Sequence, residues 1–423
     1  MNRLRISADG RRILRPDGRP FFYLADTAWE LFHRLTLDEA RHYLTTRAGQ
    51  GFTAVLATLL AEFDGLRTPN PQGHVPFHDL DPCRPNEAYF ADCDRIIEET
   101  ARLGMFAAVL PTWGDKWNSL WGEGPLVFNP ENAFVYGAYI GRRYRDLPVI
   151  WVLGGDRPVQ TARQLETLRQ MARGIRSASP DQLTTFHPAG GHSSAEYVHG
   201  EDWLDFNMLQ TGHTGRDNPV GRMIGLDLAR LPRKPTLDGE PNYEDHPVMA
   251  PGWKAIDNEW FDAFDCRKQA WRSVLAGACG HTYGCHDVWQ MWTPAHKPVN
   301  HVRTPWPEAI QLPGARQMAH VRSLCEQLAW ERLVGDDSLF DGGPGSGAEQ
   351  GAAARATDGS YGLLYLPVGR PVRVDTRRLR EPLLASWYDP RTGALTATSA
   401  APDGTYAPPT PEDWVLYLRQ GPA

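Results

Sequence analysis

"PVIWVLGGD", residues 148–156, runs from Val149 through Leu153 without a polar residue, then ends on two glycines and a carboxylate. Strict alternation of apolar and polar residues would mark a strand with one wet face. An unbroken run marks a strand covered on both faces, as in a parallel sheet sheathed by helices. The segment that follows, "TARQLETLRQMARGI" (161–175), is patterned as a helix, so the local unit is β then α.

The same unit repeats outward in both directions. "FFYLADTAW" (21–29) leads into "TLDEARHYLTTRAGQ" (36–50), where Leu37, Ala40, Tyr43 and Leu44 recur at helical spacing and Thr36 can cap. "FTAVLATLL" (52–60) precedes "NEAYFADCDRIIEETARLG", and "MFAAVLPTW" (105–113) precedes a helix over 131–145. "LTTFHPAG", "LDFNMLQTGH", "PTLDGEPN" and "GHTYGCHDVW" bring the strand candidates to eight. No GxGxxG or GxxxxGK loop follows an early strand, as a doubly wound nucleotide-binding sheet would require. The expectation is therefore an α/β protein with a (β/α)8 TIM barrel over residues 1–328. Beyond a last helix near 308–328, "GLLYLPVG", "PVRVDT", "PLLASWYDP" and "WVLYLR" are short strand-like pieces between turns, which predicts a small C-terminal antiparallel β-sandwich over 329–423. The Gly- and Ala-rich stretch 342–356 reads as a flexible loop within it.

Composition narrows the function. The chain has 423 residues, 41% of them hydrophobic and 22% charged, with a net charge of −7. Its basic residues are scattered, which argues against nucleic acid as partner and favours an uncharged one. The six cysteines show no CxxC pair, so neither a disulfide framework nor a zinc site is expected. No apolar run follows the basic start, and no stretch is long enough to span a bilayer, so a cytoplasmic location and no membrane partner are expected.

Polar and aromatic residues gather where the apolar runs end: Asp26 and Trp29, Glu62, Trp113, Asp156, His187, Gln210 with His213, Glu240, Glu244, Tyr283, and His286 with Trp289. In an eight-stranded barrel those ends meet at one face, where active sites form. Asp156 closes a run otherwise too apolar for a carboxylate, and Glu240 closes the seventh unit within "KPTLDGEPNYED" (234–245), a stretch dense in acids. Strands 4 and 7 lie near enough across a barrel mouth for such side chains to flank one bond. Glycoside cleavage needs two carboxyls so placed, one to protonate the leaving oxygen and one to support the sugar's developing positive charge. Taken alone, each could be a helix cap or an arginine partner, and Arg157 follows Asp156 directly. Asp238 and Glu244 are expected to hold neighbouring groups or bind hydroxyls, and Asp245 to be solvated. His187, His213 and His286 lack HxH or HxxxH spacing, so they are expected to bind sugar hydroxyls, with no metal and no cofactor. Trp29, Trp113, Trp117, Trp121 and Trp289 include candidate faces for stacking on a sugar.

The segments "RPFFYLADTAWELFHRLT" (19–36), "WVLGGDRP" (151–158), "FHPAGGHSS" (186–194), "DFNMLQTGH" (205–213), "DGEPNYE" (238–244) and "GHTYGCHDVWQM" (280–291) resemble glycoside hydrolase family 140, apiosidase-like enzymes whose barrel precedes a β-sandwich often labelled collagen-binding. The resemblance implies a retaining glycoside hydrolase releasing apiose, or a similar furanose, from plant glycans or glycosides, with carbohydrate as its partner. It implies that Asp156 is the acid/base and Glu240 the nucleophile. Alternatives are an arabinofuranosidase or endo-glycanase on the same scaffold, and, in another class, a carbohydrate-binding protein without catalysis. Both carboxylates are present, which disfavours the last.

Overall fold

In the computed structural model, which describes residues 3–422, the apolar runs become strands buried along their whole length. They are β1 (Tyr23–Thr27), β2 (Ala54–Thr58), β3 (Phe106–Leu110), β4 (Val149–Gly154), β5 (Thr184–His187), β6 (Asn207–Gln210), β7 (Thr236–Asp238) and β8 (Gly280–Tyr283). Six pair in parallel in the order β8-β1-β2-β3-β4-β5, and β6 pairs in parallel with β7. In place of the expected closed eight-stranded sheet stand a curled six-stranded parallel sheet and a separate three-stranded one, in which the short strand His192–Ser193 lies antiparallel to β6. Backbone bonds bridge the two seams: Asp205 N–H donates to Thr184 O at 2.8 Å, and Cys279 N–H to Thr236 O at 2.9 Å.

Residues alternate along each strand between two cores. From β4, Ile150 and Val152 join Tyr23, Ala25, Leu56, Ala108 and Met208 in a cluster enclosed by the strands. Val149, Trp151 and Leu153 point the other way and pack on helical residues such as Tyr43, Ile140 and Met171. The helices that carry this outer layer are α1 (Leu37–Gly49), α2 (Glu87–Arg102), α3 (Pro130–Tyr144), α4 (Ala162–Ala178), α5 (Val220–Leu228), α6 (Ala263–Leu275) and α7 (Pro313–Gln327). Thr36 caps α1 in a reciprocal box with Glu39, as its sequence suggests.

The C-terminal part is an antiparallel sheet of β9 (Leu333–Gly335), β10 (Ala352–Ala356), β11 (Tyr361–Leu366), β12 (Leu383–Tyr388), β13 (Leu395–Thr398) and β14 (Trp414–Gln420), in the order β9-β10-β11-β14-β12-β13, with a separate two-stranded ribbon. Where a β-sandwich was expected there is one six-stranded sheet and a ribbon, and a second expectation fails as well. The stretch 342–356 is a loop only in its first part, because Ala352, Ala353, Ala354 and Ala356 are buried in β10. Small side chains let that strand lie close beneath its neighbours, although they look like linker composition in sequence.

The sheet is fastened to the α/β part through α6, which is buried from Asp265 to Leu275. Arg267 grips Asp413 at 2.8 Å, Trp271 stacks on Tyr365 with ring centroids 6.1 Å apart, and Arg12 donates to Leu333 O at 2.7 Å. All six cysteines are free thiols, five of them buried.

Candidate active site

A cavity of about 800 Å³ opens where the strands end. Among the residues named from sequence, Trp29, Glu62, Trp113, Asp156, Gln210, His213, Glu240 and Trp289 line it.

Asp156 reaches the cavity because the chain turns sharply off β4. Gly154 and Gly155 both hold positive φ, at 98° and 93°, and Asp156 itself sits at φ 56°. A Cβ on Gly154 would meet His187 O at 2.3 Å, and one on Gly155 would meet Gly114 N at 2.7 Å, so the two glycines are the only way past the neighbouring backbones. A left-handed aspartate stores strain of the kind that gathers at functional sites. Its carboxylate accepts the Trp121 indole N–H at 3.2 Å and lies 3.5 Å from the Arg157 guanidinium. Burial first, and then the negative charge of Glu240, push its pKa up to about 6 against the pull of Arg157 and His187.

Glu240 lies across from it, after β7. Asp238 props that turn: its carboxylate accepts from Thr211 Oγ1 at 2.7 Å and from the N–H groups of Thr211 and Glu240, both at 3.3 Å. Two imidazoles face Glu240, His213 Nε2 at 3.1 Å from Oε1 and His187 Nε2 at 3.1 Å from Oε2. Burial alone would raise this carboxyl, but the two imidazoles outweigh it and hold the pKa at about 2. Between about pH 2 and pH 6 the two acids therefore sit in opposite proton states.

His187 ties them together although it is fully buried and does not line the cavity. Its Nδ1 accepts the backbone N–H of Asp156 at 3.2 Å, so its proton resides on Nε2, facing Glu240. Behind His213, the ring of His246 stacks at 4.2 Å and is kept neutral by burial, its pKa lying well below the usual histidine value. Glu62 brings a third carboxyl to the cavity, raised to about 8 by burial and by the charge of Asp156. Trp113 Nε1, Gln210 Oε1 and His213 Nδ1 are buried without a protein partner beside the same space. Such atoms suit a ligand rich in hydroxyls.

Asp26, Tyr283 and His286 lie off the cavity, as His187 does, and Glu244 holds neighbouring groups rather than facing a ligand. Asp26 points to the helix layer, where Arg47 Nε at 2.7 Å and Tyr43 OH at 2.5 Å take it up. Glu244 and Tyr283 bond each other at 2.5 Å, and Glu244 accepts from Gly314 N–H at the start of α7 at 3.1 Å, where a helix end favours an anion. His286 is sealed behind Trp289, accepting its indole N–H at 3.2 Å and donating to Asn300 O at 2.8 Å. Asp245 is not solvated but paired with Arg303. Sequence reading missed Tyr243, which packs on His213 at 4.5 Å, and Trp253, at the tip of the hairpin formed by Pro247–Ala250 and Lys254–Trp260. Tyr243 lies three residues past Glu240, close enough to have been suspected. Trp253 carries no strand-end signal.

Residues 7–332 match the family described as "Apiosidase-like, catalytic domain", and residues 334–419 match one described as "Putative collagen-binding domain of a collagenase". A solved structure titled glycoside hydrolase is 28% identical, with TM-score 0.89, covering 99% of this chain and 97% of that one. A glycoside hydrolase family 5 protein from Bacteroides vulgatus is also 28% identical with TM-score 0.89, covering 99% and 93%. A family 5 mannosidase from Rhizomucor miehei shares the fold at 11% identity, TM-score 0.54, over 77% of this chain and 99% of its own. A search of curated proteins returns no match.

Proposed function

From the premise that this chain belongs to the apiosidase-like family, we propose that it is a retaining glycoside hydrolase releasing apiose, or a similar furanose, from plant glycans or glycosides. The observation that carries this reading is the pair of carboxyls on one cavity with opposed proton affinities, Asp156 at about 6 and Glu240 at about 2. An acid that keeps its proton and a base that has lost one are the two partners of glycosidic cleavage. The two sheets are read as one (β/α)8 barrel interrupted at two seams, spanning residues 1–328, with 329–423 as an accessory domain.

In the first step Glu240 attacks the anomeric carbon while Asp156 gives its proton to the departing oxygen. His187 and His213 hold the Glu240 oxygens in place and stabilise the charge until attack. In the second step Asp156, now ionised, takes a proton from water, and that water displaces Glu240 from the sugar. The family match supports apiose as the sugar, and the unpartnered polar atoms beside the cavity support a glycone rich in hydroxyls.

The test is the anomer first released from a p-nitrophenyl apioside, followed by NMR, together with two variants. Retained configuration is expected. Glu240→Gln should lose several orders of magnitude on every substrate. Asp156→Ala should lose far less on p-nitrophenyl than on alkyl glycosides, and added azide should yield a glycosyl azide of retained configuration. An inverted first product, or near-normal turnover by Glu240→Gln, would sink the assignment. Cleavage of arabinofuranosides in preference to apiosides would replace the glycone and keep the mechanism.

A further inference from the structure

Trp121 stands out among the indoles at the mouth because it is 45% exposed yet held by a built loop. Asp115, buried against Lys116, accepts the N–H of Gly124 at 2.8 Å, and a Cβ on Gly122 would collide with the Asp115 side chain at 2.6 Å. The Arg157 guanidinium covers one face of the indole, 4.0 Å from its ring centre, and donates to the Trp121 carbonyl at 2.5 Å. No ring or cation covers the opposite face among the described residues. A rigidly held indole with one open face at the rim of the cavity offers a flat apolar surface on which a ring can stack.

The partner follows from what the indole edge touches. Its N–H bonds Asp156 Oδ2 at 3.2 Å. In glycoside cleavage the proton of the acid/base goes to the oxygen of the leaving group, so the atoms next to that oxygen lie against Trp121. Trp253, the other exposed indole lining the cavity, lies 6.2 Å from the His213 ring, on the nucleophile's side.

We infer that the uncovered face of Trp121 is the stacking platform for the leaving group, and that this enzyme favours glycosides whose leaving group presents a ring, a pyranosyl residue or an aryl alcohol, over acyclic alcohols. This rests on the glycosidase reading above and adds the chemical class of the aglycone. The same indole has a second effect, because its N–H stabilises the ionised form of Asp156 that acts in the second step.

The two effects separate in two variants, assayed on an apiosyl-glucose disaccharide, p-nitrophenyl apioside and methyl apioside. Trp121→Ala is expected to lose about tenfold in the ratio of ring-bearing to methyl kcat/KM, the size of one lost aromatic contact. Trp121→Phe keeps a stacking face and should keep that ratio, while the alkaline limb of its pH profile moves up as Asp156 loses a hydrogen-bond donor. Thermal melting of both variants checks that they fold. If Trp121→Ala slows ring-bearing and methyl substrates equally while wild type cleaves all three, the platform is wrong and the glycosidase reading stands. If wild type cleaves none of these glycosides nor the corresponding arabinofuranosides, both readings fall together.

Discussion

His187 touches both acid residues, its Nδ1 taking the backbone N–H of Asp156 and its Nε2 facing the Glu240 carboxylate. On the proposed mechanism, activity requires Asp156 protonated and Glu240 ionised. With their pKa values at about 6 and about 2, kcat/KM should decline as pH rises through about 6, and its acid limb should lie well below the working range. Replacing His187 by Ala removes a group that favours ionised Glu240, so the acid limb should climb from about 2 towards the ordinary carboxylate range near 4. A pH–rate profile of that variant, with its acid limb unmoved, would argue that His187 only fills space. Asp156 and Glu240 were legible because a carboxylate ending an apolar run needs a reason. Asp26 and Tyr283 were misread for want of a parity check. Along β1, Tyr23 and Ala25 face the inner core and Leu24 the outer one, so Asp26 falls on the outer face, towards α1.

At the level of elements, α3 and α4 touch more closely than their sequences announce. A Cβ on Gly174 would lie 2.3 Å from Phe134 O, and one on Gly137 would lie 2.4 Å from Met171 O. Glycine to alanine inside a helix ordinarily stabilises, by about 1 kcal/mol. Here the sign should reverse, with Gly174→Ala costing about 1–3 kcal/mol because the two helices must part. Denaturant melting would show it, and a stabilised variant would mean that the helices shift freely. On β1, Asp26→Asn leaves Arg47 buried with a neutral partner and should cost about 3–5 kcal/mol, without moving the pH limbs of whatever activity remains. Helices and strands were readable here because their periods differ. The interhelical glycines were not, since a glycine in a helical pattern looks the same whether it faces water or another backbone.

Over the whole molecule, α6 belongs to both halves, one side on the α/β part and the other on the C-terminal sheet. Arg267→Ala would strand Asp413, 1% exposed on its side chain, with only Tyr365 OH at 3.2 Å. A loss of about 3–5 kcal/mol is expected, and the wild type should melt in one calorimetric transition. Two resolved transitions would show that the halves unfold separately. The sheet's strand order carries a further consequence for how the molecule is made. β14 follows every other strand of that sheet in the chain, yet it lies between β11 and β12 and pairs with both. A ribosome delivers β11 and β12 before the strand that joins them. Until β14 emerges, those two edges must wait unpaired, so a nascent chain stalled short of Trp414 is the form that a chaperone would meet.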